Sequence, residues 1–178
     1  MKSKTLLLVV VGTISLALGG ISISQAATED RSQTPAISAS PLALAELPDA
    51  TRSVFENYFK IHAALAQDSL EGVAEKAATI AQTARSNPDK PFPLRLARQA
   101  ERLAAAKNLT QARDAFLRMS PHLIDYVKKN RLTGFYMGYC RMERVAWLQA
   151  DPTIANPYMG KAMPRCAWFR ELNGERGS

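Results

Sequence analysis

The residues best suited to chemistry in this chain carry sulfur and lie close together. Cys140 and Met142 stand in Tyr139-Cys-Arg-Met142, and Met163 and Cys166 in Met163-Pro-Arg-Cys166. Of the 6 methionines, Met137, Met142, Met159 and Met163 fall in the same stretch as both cysteines. Soft thiolate and thioether donors select monovalent copper or silver, and also suit zinc where thiolates dominate, whereas hard oxygen sites suit magnesium and calcium. Residues two apart on an extended segment face the same way, so Cys140 and Met142 are expected to converge, and Met163 and Cys166 to share one side of a turn. The expected ligands of a copper ion are therefore Cys140, Met142, Met163 and Cys166. Met137, Met159 and His62 stand in reserve, His62 because a neutral imidazole would complete a copper site.

The same cysteines support a second reading. The chain opens with Lys2 and Lys4, an apolar run from Leu6, and Ile23-Ser-Gln-Ala26 with small residues where a signal peptidase reads. Residues 1–26 thus read as an export signal, cleaved after about Ala26. The apolar core is shorter than the ~20 residues of a comfortable span, so no membrane span is expected after cleavage. In an exported protein a pair of cysteines commonly forms a disulfide. Closing the 27-residue loop from Cys140 to Cys166 would contribute about 3.5 kcal/mol in the chain-entropy treatment. A redox-switched site would combine the two readings and hold metal only when reduced.

The remaining residues must position those sulfurs. The full chain carries 23 Lys and Arg against 16 Asp and Glu, and two of the lysines leave with the signal. Arg95, Arg98, Arg102 and Lys107 alternate with apolar residues at helical spacing, which marks a solvated helix face; no nucleic-acid partner is expected. Residues 27–48, rich in Ser, Ala, Thr and Pro, read as a flexible leader. From Asp49 or Thr51 a first helix follows with Val54, Phe55, Tyr58, Phe59, Ile61, His62 and Leu65 on one face. A second, capped by Asp68 or Ser69, has an alanine-rich stripe with Val73, Ala77, Ile80 and Ala84. The three prolines at 88, 91 and 93 stop it. A third helix spans about 94–106. A fourth, capped by Asn108 or Thr110, contains Pro121 and either kinks there or restarts at Ser120.

Four amphipathic segments with short links predict an all-α fold, an up-and-down four-helix bundle over 49–170. Its C-terminal part, Cys/Met-rich and poor in helical period, reads as an irregular cap with at most a short strand at Phe135 to Met142 and a turn at Glu143 to Gln149. Residues 171–178 read as a disordered tail. Trp147 is expected to anchor the cap to the core.

No enzymatic pattern rises above this. Cys140 with His62 or His122 could form a nucleophile and base, but there is no nucleophile elbow, zinc-protease or phosphate-loop motif. A Cys-x-x-Cys redox pair is also missing from the sequence. The chain is read as a non-enzyme.

Several blocks resemble an uncharacterised family of exported bacterial domains: Tyr58-Phe-Lys-Ile-His62, Phe116-Leu-Arg-Met-Ser120, Tyr139-Cys-Arg-Met142, Trp147-Leu-Gln149, and Ile154-Ala-Asn-Pro-Tyr158-Met-Gly-Lys-Ala-Met163 with Cys166. The likeness runs from about 50 to 168, and Asn-Pro-Tyr-x-Gly-x-x-Met is its most specific part. Such domains stand alone in the periplasm or at the C-terminus of periplasmic adaptor (membrane fusion) subunits of heavy-metal efflux systems. Arg141 replaces a usual proline and Ala167 a usual glycine, whereas both cysteines and both flanking methionines remain. The resemblance implies a periplasmic protein that buffers copper or silver or delivers it to an efflux adaptor or another periplasmic metal-handling protein. The alternative is a disulfide-stapled interaction module of the cell envelope, docking through Tyr136, Tyr139, Tyr158 and Trp168.

Overall fold

The computed structural model describes residues 44–174; the segment read as an export signal, most of the segment read as a leader and the last four residues lie outside them. Among these residues four α-helices precede the sheet: α1 (Asp49–Ala66), α2 (Val73–Ser86), α3 (Leu94–Ala104) and α4 (Leu109–Lys129). Three strands follow, β1 (Phe135–Cys140), β2 (Val145–Gln149) and β3 (Trp168–Leu172), with a single 3-10 turn at Gly160–Ala162 between the last two.

Each helix buries the stripe its spacing predicts. On α1, Val54, Phe55, Tyr58, Ile61, His62 and Leu65 are all buried. Consecutive helices pack on one another, α1 on α2, α2 on α3 and α3 on α4. Buried Ala77, Ala81 and Ala84 on α2 and Ala97 and Ala100 on α3 are small enough to let backbones approach closely. Between α1 and α4 the spacers are rings: Tyr58 stacks on Phe116 at 4.7 Å and Phe55 meets Tyr126 at 5.7 Å. Fully burying a ring such as Phe55 or Phe116 contributes roughly 1.5–3 kcal/mol.

Several boundaries differ from the sequence reading. Leu44 and Leu47, assigned to the leader, belong to the core. Helix α1 begins after Pro48 without a side-chain cap. Helix α2 begins at Val73 behind Gly72, not at Asp68 or Ser69. Asn108 does cap α4, its side-chain oxygen accepting from the Gln111 N–H at 2.9 Å. That helix continues through Pro121 without restarting, and the Ser120 hydroxyl donates back to the Phe116 carbonyl at 2.9 Å.

The larger correction concerns fold class. The protein is not all-α: the region expected to be an irregular cap is a three-stranded antiparallel sheet in the order β2-β1-β3, so the fold is mixed α/β. Strand β2 takes the place of the expected turn at Glu143 to Gln149, and β3 absorbs Glu171 and Leu172 from the expected tail. Pairing explains both. Tyr136 to Cys140 ladder against Gln149 to Val145 on one side, and Phe135 to Tyr139 against Leu172 to Trp168 on the other. A ladder of this kind satisfies backbone groups that no local periodicity reveals. The sheet lies against the helices, with β2 on α4 and Phe135 5.5 Å from Phe55.

Candidate metal centre

Strand β1 determines where Cys140 goes. Side chains alternate between the two faces of a strand, and directly paired residues share a face, so Gly138, Cys140, Val145 and Trp147 lie on one side and Phe135, Met137 and Leu148 on the other. Gly138 is opposite Trp147, and a Cβ on it would overlap the indole. The indole thus occupies the space beside the β1 backbone, and Cys140, two residues on, is fully buried.

Met142 is in the turn that joins β1 to β2, where Arg144 takes a positive φ of 55°. Its side chain is 62% exposed. The expected convergence with Cys140 along one strand therefore takes a different form: the chain has turned at Arg141, and Met142 reaches a sulfur on another segment. Its Sδ lies 3.8 Å from Cys166 Sγ. Desolvation first, and then the adjacent Cys140 thiol, push the Cys166 thiol above its usual range. Three sulfurs, those of Cys140, Met142 and Cys166, thus gather where the β1–β2 turn meets the segment leading into β3. No bond joins the two cysteines in this structure.

The segment carrying Cys166 is fixed at two levels. Asn156, fully buried, donates its amide to the Cys166 carbonyl at 2.7 Å and accepts the Tyr158 and Met159 N–H groups at 2.9 and 3.1 Å. Its backbone N–H donates to Pro164 at 2.8 Å. The second level ties this loop to the helices. Asp68, at the end of α1 with φ 56°, accepts from Arg113 at 2.5 Å and from the Lys161 N–H at 3.0 Å. Arg113 in turn donates to the Pro157 and Leu65 carbonyls at 2.7 and 3.1 Å. The guanidinium holds the Asp68 carboxyl below its ordinary range. Gly160, at φ 54°, comes close enough to Asp68 and Arg113 that a Cβ would collide with both. Asp68, read from sequence as a helix cap, is a tether for the loop.

Each of the other expected ligands has its own surroundings. Met137 lies on the sheet face opposite Cys140. Met159 is half-buried against the core. Met163 is half-buried on the same loop as Cys166, its carbonyl accepting the Cys166 N–H at 3.2 Å. His62 is inside the protein, 6.4 Å from both Phe116 and Trp147 by ring centroid, with Nε2 2.8 Å from the Ala155 carbonyl. That contact makes Nε2 the protonated nitrogen and leaves buried Nδ1 without a partner. Burial lowers the imidazole pKa to about 4. His122 is on α4, beside Pro91, Pro93 and Asp125.

Among the described residues, no three His, Cys, Asp or Glu side chains assemble a metal-holding cluster. What the sequence brings together is two thiols and one thioether, a donor set without oxygen or imidazole. Such a set fits a monovalent soft ion and is poor for zinc or for hard cations. No described helix is long and apolar enough to cross a membrane.

Asn156 stands in the most specific block of the sequence resemblance without a role assigned to its side chain, and Arg113 was not singled out at all. The signal for Asn156 was available: Asn before Pro, followed by two residues able to donate to its side chain, is the pattern of an Asx turn. Arg113 carried none, being one basic residue among many on a helix.

No curated protein and no solved structure matches the chain. Residues 54–134, from within α1 to the approach to β1, match the model of a family described as "Protein of unknown function (DUF3347)", so this part of the chain is similar to a domain of unknown function.

Proposed function

We propose that this protein is an exported, periplasmic, non-enzymatic carrier of monovalent copper or silver. It holds the ion through Cys140, Cys166 and Met142, with Met163 as a further donor. It buffers the metal or passes it to an efflux adaptor or another metal-handling protein. The observation that supports this reading is the approach of Cys166 Sγ to within 3.8 Å of Met142 Sδ with the Cys140 thiol alongside. Thioethers bind a soft ion without losing a proton, so a mixed thiolate–thioether site yields its cargo by ligand exchange more readily than an all-thiolate one. The exposure of Met142 puts one donor where an acceptor could replace it. Anaerobic titration of reduced protein with monovalent copper should give stoichiometric binding that Cys140→Ser weakens. Absence of binding sinks the reading.

The same proximity of the thiols supports the stapled interaction module as a second reading. Trp168, 72% exposed and paired with Tyr139 on the sheet, would be its docking residue. Thiol counting on protein taken from its native compartment separates the two: no free thiols for a staple, two for a metal site or release of metal by acid.

A further inference from the structure

The sulfur site is assembled from two halves of different origin. Cys140 and Met142 belong to the β1–β2 hairpin, whose register is set by its own ladder. Cys166 is on the loop between β2 and β3, and its position relative to the hairpin is a separate matter. Most of the bonds that close this loop on itself pass through Asn156. The side-chain amide reaches the Cys166 carbonyl, the side-chain oxygen turns the chain at Tyr158 and Met159, and the main-chain N–H meets Pro164.

We infer that Asn156 is the positioning residue of the thiol pair: it fixes the separation between Cys166 and Cys140 without touching either sulfur, and so sets both metal affinity and the tendency of the pair to oxidise. An asparagine is required because the position needs a donor toward Cys166 and an acceptor toward two N–H groups at once. Asp supplies only the acceptor and would face the Cys166 carbonyl with negative charge. Ala supplies neither. Outer residues that orient metal ligands in this way typically change affinity by 10- to 100-fold when removed.

The metal arm of this inference rests on the proposed function, and the oxidation arm does not. The experiment therefore measures two quantities on wild type, Asn156→Ala and Asn156→Asp. One is silver affinity by competition. The other is the equilibrium of the Cys140–Cys166 pair with glutathione, read as an effective thiol concentration. Asn87→Ala serves as control, because Asn87 makes the same kind of turn, accepting the Asp89 N–H at 3.0 Å, on a loop remote in sequence from the sulfurs. Both Asn156 variants should weaken silver binding by about 10-fold or more and shift the glutathione equilibrium by a comparable factor, while Asn87→Ala moves neither. Asn156→Asp, which keeps the turn, covers the case in which Asn156→Ala fails to fold. If wild type binds no silver but the glutathione equilibrium shifts in the Asn156 variants alone, the metal reading falls and the positioning role stands. If folded Asn156 variants match wild type in both quantities, or Asn87→Ala shifts them equally, the inference is overturned.

Discussion

The indole of Trp147 occupies the space that a side chain on its cross-strand partner Gly138 would fill. This is why a glycine sits in the middle of the central strand of the sheet. Without a Cβ, β1 accepts the largest fully buried side chain of the described residues and sends Cys140 inward on the same face. Gly138→Ala should destabilise the fold by about 1–3 kcal/mol, the usual cost of overpacking a filled core. Because the displaced element carries Cys140, silver affinity should fall with it. Chemical denaturation and silver competition on one preparation measure both, and a variant as stable as wild type would contradict the packing argument.

Metal binding should depend on pH through the thiols. A thiol must lose its proton to bind, and Cys166 holds its proton more tightly than an ordinary cysteine because of desolvation and the adjacent Cys140 thiol. Affinity for silver should therefore climb as pH rises through neutrality, by roughly tenfold per pH unit for each thiol that ionises on binding. Met142→Leu should weaken binding while leaving that slope unchanged, since a thioether carries no proton. Met137→Leu, on the far face of the sheet, should do neither. A flat pH profile would mean that the cysteines are not the ligands.

His62 should make the fold acid-sensitive. Its pKa is about 4 in the folded protein against an ordinary 6.5, because burial disfavours the imidazolium. Below pH 6.5 the unfolded chain takes up a proton that the folded one refuses, so stability is complete above that pH and is lost as pH falls toward 4. The loss by then should approach roughly 3 kcal/mol. His122 is also shifted downward by desolvation, and Asp125 opposes that shift, so it contributes in the same direction to a smaller extent. Denaturation midpoints between pH 4 and 7 should flatten in His62→Gln and keep most of their slope in His122→Gln.

How far the sequence reveals this fold depends on which interactions decide each element. The four helices are legible because burial of one face imposes a 3.6-residue period that residues such as Val54, Tyr58, Ile61 and Leu65 display directly. The sheet is much less legible. In β2 Val145, Trp147, Leu148 and Gln149 are all buried, because the helices and the β2–β3 loop cover both faces, and a strand buried twice loses its alternation. In β3 only Leu172 is buried, as suits an edge, so that pattern also lacks a period. The sulfur site divides in the same way. Clustering of cysteines and methionines marks Cys140, Met142 and Cys166 as partners, but which methionine meets the thiols depends on the turn at Arg141 and on the Asn156 loop, both products of tertiary contact.

The sharpest test of how the sheet is joined to the helices lies at Tyr58. Its hydroxyl accepts the Leu148 N–H from β2 at 3.1 Å and lies 2.8 Å from Ser120 Oγ on α4, whose own proton goes to the Phe116 carbonyl. Tyr58 therefore donates to Ser120, and one buried oxygen links α1, α4 and β2. Desolvation raises the phenol's pKa well above its ordinary range, so it stays protonated, and the chain of bonds keeps this polarity across the accessible pH range. Tyr58→Phe keeps the ring stacked on Phe116 but leaves the Leu148 N–H buried without an acceptor and Ser120 without a donor. An unsatisfied buried donor costs about 1–3 kcal/mol, so the variant should lose that much in denaturation. Hydrogen exchange should locate the loss, with the Leu148 amide losing protection while α2 and α3 keep theirs. Ser120→Ala leaves the Leu148 bond in place and should cost less. If the two variants were equally destabilised, the link to β2 would carry no weight, and the sheet would be held by apolar packing of Phe135, Trp147 and Leu148 alone.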